Sequence, residues 1–183
     1  MFRHEMATKT LLGRRVTRYV ANGQLVPDAL VVEVMASRLP KRTGFVLDGF
    51  PRTRAQAEGL DEVLARRRLP VDGAVYISSP ESVLVRRLSG RLVCAQCGAN
   101  YHIRTMRPKQ PGRCDQCQGR LITRKDDQLK TIRKRLAIHR REMTPLLQYY
   151  RRRGLLNSVD GRGRIGTVFL RAMGLFRRHG WVR

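Results

Sequence analysis

Phe45-Val46-Leu47-Asp48-Gly49-Phe50-Pro51-Arg52-Thr53 carries more information than any other stretch of this 183-residue chain. Its short apolar run predicts a buried strand over 44–48, and Gly49 and Pro51 end it. Asp48 and Arg52 would then be delivered to the strand's carboxyl end, the edge where open α/β sheets bind ligands. A carboxylate there can hold a hydrated metal ion, and a guanidinium can clamp a phosphate bidentately. A plain strand, turn and surface ion pair would use the same residues. The stretch alone therefore suggests nucleotide chemistry and leaves the bland alternative open.

Outward from it, strands alternate with helices. Leu12, Val16, Tyr19 and Val20 share one face of a helix over 11–20, with Gly23 as its stop. Pro27-Asp28 starts a helix running to about 39, with the carboxylate at its positive dipole end. Thr53 is an N-cap for a helix over about 54–67 with Ala57, Leu60 and Val63 inward. A strand over 71–77 and a helix opened by Pro80 follow. After an irregular insert comes a long helix over 127–152. Leu129, Ile132, Leu136, Leu146 and Tyr150 mark its buried side, and Pro145 predicts a kink. A short strand over 155–159 and a helix over 165–178, with Val168, Phe169, Met173 and Phe176 inward, complete the chain. The pattern predicts a mostly parallel sheet covered by helices on both faces.

Residues 90–127 break this rhythm and hold all four cysteines, as Cys94-x-x-Cys97 and Cys114-x-x-Cys117. Two such knuckles suit four thiolates arranged tetrahedrally around zinc. Two disulfides are the competing reading, and the lack of a secretory pattern at the N-terminus argues against them. A closed four-cysteine site is structural, and its metal would organise an insert too small to build its own core. Arg87 and Arg91 flank the start of the insert, Arg124 its end, and Arg135 follows on the long helix. These cations could close over a polyphosphate, or could equally form a solvated basic face with Asp126 or Asp127 as a helix N-cap.

Charge is the compositional outlier. There are 38 basic against 14 acidic residues, a formal net charge of +24, and all but a few of the bases are Arg, whose planar fork suits phosphates and RNA. A high-GC genome would enrich Arg as well. Apolar content is 42%, ordinary for a folded domain. No apolar run approaches the roughly 20 residues that span a bilayer. The expectation is a cytoplasmic protein without a membrane partner.

Together these residues resemble adenylate kinases of the long, zinc-bearing bacterial type. The resemblance runs from Met1 to about Val168. It rests on Gln24-Leu25-Val26-Pro27-Asp28, on Leu47 to Thr53 with Gln56, and on Gly90-Arg91 leading into the cysteines. Tyr101-His102, Arg124-Lys125-Asp126-Asp127, Thr131 to Arg135 and Pro145 to Tyr150 complete it. The fold it implies is an α/β three-layer parallel sheet flanked by helices, that of P-loop nucleoside monophosphate kinases, with a small zinc-binding lid. The implied division is an AMP-binding segment over 1–26, a core over 27–89 and 128–183, and the lid over 90–127. The implied reaction is ATP + AMP ⇌ 2 ADP with magnesium, in which the protein positions the nucleotides and stabilises charge. By the resemblance, Arg3 and Arg52 hold the AMP phosphate, and Gly49, Phe50 and Pro51 line its pocket. Gln24, Leu25, Val26 and Gln56 contact AMP's ribose and base. Asp48 orders magnesium through water. Arg87 and Arg91 reach ATP from the lid, Arg124 and Arg135 clamp phosphates, and backbone near Gly163 meets the adenine. A free enzyme of this kind is expected to be a monomer.

The family opens with a strand, a G-x-x-x-x-G-K-[ST] loop and a helix, and no such motif occurs in these 183 residues. Roughly thirty residues, one strand–loop–helix unit, separate this start from the family's. That loop cradles the β and γ phosphates, so the expectation is a sheet without its first strand and helix and transfer that is impaired or absent. One explanation is a misplaced start. The other is a basic, zinc-bearing pseudokinase that binds RNA or a ribosome through arginine runs such as Arg151-Arg152-Arg153. The charge favours the second, and the intact AMP-side and lid residues favour the first.

Overall fold

The computed structural model describes residues 2–8, 10–22, 24–40 and 44–182, with the side chains of all but Phe2, Arg3 and Lys125. Gly23, expected to stop the first helix, lies outside the described residues. The chain is a mixed α/β protein with a parallel strand pair and flanking helices. It divides into two compact units, residues 1–74 with 142–157 and residues 75–141 with 158–183.

Four helices build most of the first unit: α1 (Phe2–Ala7), α2 (Leu11–Ala21), α3 (Asp28–Ala36) and α4 (Arg54–Arg66). α2 is amphipathic and starts where the Thr10 hydroxyl accepts from the Gly13 amide. Its Val16 is fully buried against Leu30 and Val34 of α3. Val20, expected on the same face, is exposed. It lies one residue past Tyr19, where the helix's 100° step has turned it away from α3.

Gly13 is where α2 meets α1. A Cβ there would overlap the Glu5 carbonyl, so only glycine permits this approach. The Glu5 carboxylate is also tied to the Thr10 hydroxyl and to Arg38 Nε at 2.8 Å. These bonds hold its pKa below the usual carboxylate range, Thr10 contributing most. Gly13→Ala is expected to cost about 3 kcal/mol and lower the Tm by about 6–12 °C, read by thermal unfolding.

α3 and α4 enclose a core of Val32, Leu39, Phe50, Leu60 and Leu64. The helix expected to reach 39 stops at Ala36, and Leu39 is buried from the turn that follows. Residues 44–48, expected as a strand, join no ladder among the described residues. They keep a strand's alternation nonetheless: Phe45 and Leu47 pack on the α3–α4 core while Val46 is exposed. Sequence pattern dictates which side chains go inward, but a ladder needs a partner strand on at least one edge.

β1 (Ala74–Ser78) pairs with β5 (Leu156–Asp160). The Ala74 amide donates to the Leu155 carbonyl and the Gly161 amide to the Ser78 carbonyl, an advance in step that makes the pair parallel. α5 (Glu81–Ser89) follows Pro80 as expected. α6 (Leu129–Arg152) runs through Pro145 without interruption. Ile132, Leu146 and Tyr150 are buried on it, whereas Leu129, expected inward, is exposed in the first turn. α7 (Ile165–Arg178) buries Leu175, while Phe169, expected inward, is exposed.

The insert forms a three-stranded antiparallel sheet in the order β3-β2-β4: β2 (Arg91–Cys94), β3 (Asn100–His102) and β4 (Leu121–Ile122). Its core cluster is Cys94, Tyr101, Cys114 and Leu121, with Leu92 and Ala99 at the margin. No described helix is long and apolar enough to cross a membrane.

Candidate nucleotide and metal sites

In the first unit the Gly49–Arg52 turn is held from beneath by one carboxylate. Asp28 begins α3, and its two oxygens accept from the Thr53 hydroxyl at 2.8 Å and the Gln56 amide at 2.7 Å. Gln56 in turn accepts the Arg52 backbone N–H at 2.8 Å through Oε1. Thr53 caps α4 by accepting from the Gln56 amide N–H. The chain Asp28–Gln56–Arg52 thus sets the turn's position from the starts of two helices. Gly49 has φ +71°, in the left-handed region that glycine adopts without strain. Its carbonyl accepts Arg52 Nε at 2.7 Å. Among the described residues no other partner engages the Arg52 guanidinium, whose residue is exposed. Asp48, just before the turn, is also exposed.

Several residues expected to touch a monophosphate can do so only through backbone. Phe50 is buried in the α3–α4 core, and Val26 packs on the α2–α3 cluster. Pro51 is half-buried after a cis peptide. Gln56 is only 7% exposed, with both ends of its amide engaged. Leu25 is exposed, and Gln24 lines a cavity of about 260 Å³ with Arg15, Arg18 and Tyr19. The side chain of Arg3 lies outside the described residues. Asp28 as the organiser of this turn escaped sequence reading, which saw only a charge favourable to the α3 dipole. The signal was its identity as an acceptor with two oxygens, one for each of two donors downstream.

Asp28→Ala removes both acceptors and leaves a buried amide donor unpaired. The expected cost is about 2 kcal/mol, read by thermal unfolding.

In the second unit three of the four arginines expected at the ATP phosphates, Arg87, Arg91 and Arg135, have protein partners. Arg91, at the start of β2, makes a two-pronged ion pair with Asp127, Nε–Oδ2 2.8 Å and Nη2–Oδ1 2.6 Å. The Asp127 side chain is fully buried and that of Arg91 is 25% exposed. The pair raises the Arg91 pKa further, the Asp127 hydrogen bonds being the largest cause. Arg135 pairs with Asp126 at 2.9 Å and approaches Asp127 at 3.7 Å. Asp127 is therefore a cation partner and not the N-cap of α6, which begins at Leu129. Arg124 is exposed just before the 3₁₀ turn Lys125–Asp127. Arg87 donates through Nη2 to the carbonyls of Gly161, at 2.8 Å, and Gly163, at 2.9 Å. Arg171 donates to the Asp160 and Arg162 carbonyls of the same loop. That loop is thus braced by two guanidiniums.

The four cysteine sulfurs converge within 4.8 Å of one another. Cys94 Sγ and Cys117 Sγ are 3.4 Å apart, Cys97 Sγ and Cys114 Sγ 3.5 Å, and all four thiols are free. Four thiolates about 2.3 Å from one tetrahedral ion stand roughly 3.8 Å apart, so the cluster could hold a metal ion. Cys94 and Cys114 are buried, Cys97 and Cys117 exposed. The Cys114 thiol is lowered to about 6, chiefly by a hydrogen bond from the Tyr101 hydroxyl. Cys94 is also lowered, the Cys97 backbone N–H contributing most. Cys94 and Cys114 are thus biased toward the thiolate form that metals bind, whereas the Cys97 thiol, despite the Ala99 backbone N–H, is pushed up to about 12 by Cys117 and the other nearby sulfurs and by burial.

Comparison with known proteins gives one family and several relatives. The adenylate kinase family model matches residues 1–155. The chain is 42% identical over 172 residues to an adenylate kinase of Clostridium tetani, covering 92% of this chain and 80% of that protein. It is 45% identical over 180 residues to an adenylate kinase of Moorella thermoacetica, covering 95% of this chain and 83% of that one. An adenylate kinase of Clostridium botulinum is 45% identical over 172 residues, with 92% and 80% covered.

Proposed function

Because this chain belongs to the adenylate kinase family, we propose that it serves Mg-dependent phosphoryl transfer between ATP and AMP, giving two ADP. One observation carries the reading most directly. The Asp28–Gln56–Arg52 chain fixes the turn's backbone while the Arg52 guanidinium keeps only its Gly49 contact. A guanidinium anchored through Nε still offers both Nη groups to two oxygens of one phosphate.

In this reading Arg52, with Arg3, takes the AMP phosphate. Gln24, the backbone of Leu25 and Val26, and the turn Gly49–Arg52 shape the rest of that pocket. Asp48, exposed and acidic, would hold the hydrated magnesium ion that accompanies the nucleotide, which would supply neutralisation of phosphate charge. Arg91 and Arg135 exchange their carboxylate partners for ATP phosphates. That exchange retains charge compensation throughout, so neither guanidinium is left bare in the empty site. Arg87 braces the Gly161–Gly163 loop that meets the adenine. Zinc in the four-cysteine cluster is structural: all four positions are protein thiolates, which leaves none for substrate. The RNA-binding alternative draws no support from the comparisons.

The test is a coupled assay of ADP formation by the purified 183-residue chain, with AMP titrated by calorimetry. AMP binding is the expected result, and ADP formation that needs both ATP and AMP would extend the reading to transfer by these 183 residues themselves. Arg52→Ala should weaken AMP binding about tenfold or more, the loss of one charge-assisted bidentate contact. AMP binding equal in the two proteins would refute the assignment of Arg52.

A further inference from the structure

Tyr101 is the second residue of β3 and 7% exposed within the lid core. Its hydroxyl lies 3.4 Å from Cys114 Sγ, and the Asp115 backbone N–H donates to the same oxygen at 2.8 Å. A phenol has one proton and two acceptor lone pairs. The Asp115 amide takes an acceptor position, which leaves the proton for the sulfur. In a metal-bound cluster the thiolate has no proton to give, so Tyr101 O–H would be the donor and Cys114 Sγ the acceptor. The Gln116 amide adds a weaker approach to that sulfur at 3.4 Å. Cys114 is fully buried, so water cannot supply these donors.

We propose that Tyr101 is a positioning residue of the metal centre, holding the Cys114 thiolate by a side-chain hydrogen bond and tying the second knuckle to strand β3. This rests on reading the cluster as a zinc site. Two consequences follow from the geometry. Donation to the sulfur withdraws charge and fixes the Sγ direction, as outer-shell donors do for other ligands. The phenol on β3 also grips the second knuckle at two successive residues, because the same oxygen receives the Asp115 amide inside it. Removing the oxygen while keeping the ring therefore isolates the hydrogen bond from the packing.

The experiment compares the full wild-type chain with Tyr101→Phe. Zinc affinity is measured by competition with a chromogenic chelator, and the thiolate-to-metal charge-transfer bands are recorded after loading with cobalt(II). Tyr101→Phe should bind zinc about tenfold more weakly, within the range set by outer-shell losses, and its cobalt bands should shift. Unchanged affinity with unchanged bands overturns the proposal, as does lowered thermal stability alone, which would leave Tyr101 a packing role only. If the variant does not fold, the wild-type chain loaded with ¹¹³Cd decides. A slowly exchanging Tyr101 hydroxyl proton coupled to the cadmium through Cys114 is expected, and a freely exchanging, uncoupled proton overturns the assignment. A wild-type chain that binds no zinc fails the metal reading itself. A wild-type chain that binds zinc no better than Tyr101→Phe fails only the tyrosine's role.

Discussion

Stripping zinc from the metal-loaded chain with excess chelator is expected to abolish the amide protection of β2, β3 and β4 while α3 and α4 keep theirs. The insert's core cluster has four buried members, and two of them, Cys94 and Cys114, belong to the four-cysteine group that could hold the metal. The remaining two, Tyr101 and Leu121, supply about 1.5–3 kcal/mol each. Ordering the backbone of 90–127 costs about 1–2 kcal/mol per residue, which this burial and its short ladders do not offset. Structural zinc contributes about 10–16 kcal/mol in comparable small sites. The α3–α4 core holds no cysteine, so its protection should be independent of metal. Hydrogen exchange with and without chelator reads both regions at once. Readdition of zinc should restore the insert, and protection that survives chelation would show the sheet is held by its own packing. The same experiment, with thiol titration, disposes of the disulfide reading, because four reactive thiols should appear when the metal leaves.

Asp127→Ala is expected to be the most damaging single substitution at the base of the insert. Arg91 opens β2 and Asp127 closes the turn before α6. Their ion pair therefore joins the two ends of the insert across 36 residues. Removing the buried carboxylate leaves the Arg91 guanidinium without its partner and beside Arg135, already 3.7 Å from the same oxygen. Breaking a buried pair in this way costs about 3–5 kcal/mol. Arg91 is partly solvated, which favours the lower end, about 3 kcal/mol. The combined Arg91→Met, Asp127→Ala protein should recover part of that loss, since no charge is then stranded. Chemical denaturation of the single and double variants completes the cycle. Equal losses in both would show that packing, and not the pair, holds the base of the insert.

Local signals were legible where one residue answers to its near neighbours. Thr53 caps α4 three residues from its donor, and Pro80 precedes α5. The inward faces failed at Val20, Leu129 and Phe169 because a helix's apolar stripe does not reveal how much of it finds a partner. The 44–48 segment failed as a strand for a related reason: side-chain alternation is local, whereas ladder bonds come from another part of the chain.

The cysteine spacing, the Asp48–Thr53 turn and the lid-flanking arginines identify this protein's family from sequence alone, because each motif joins chemistry to a short, local geometry. Tertiary structure decided which groups meet. Asp28 lies 28 residues from Gln56, Tyr101 13 from Cys114, and Arg91 36 from Asp127. No local preference selects such partners in a chain with 38 cations. Burial does, because a carboxylate, amide or hydroxyl removed from water must take a partner the fold places within reach.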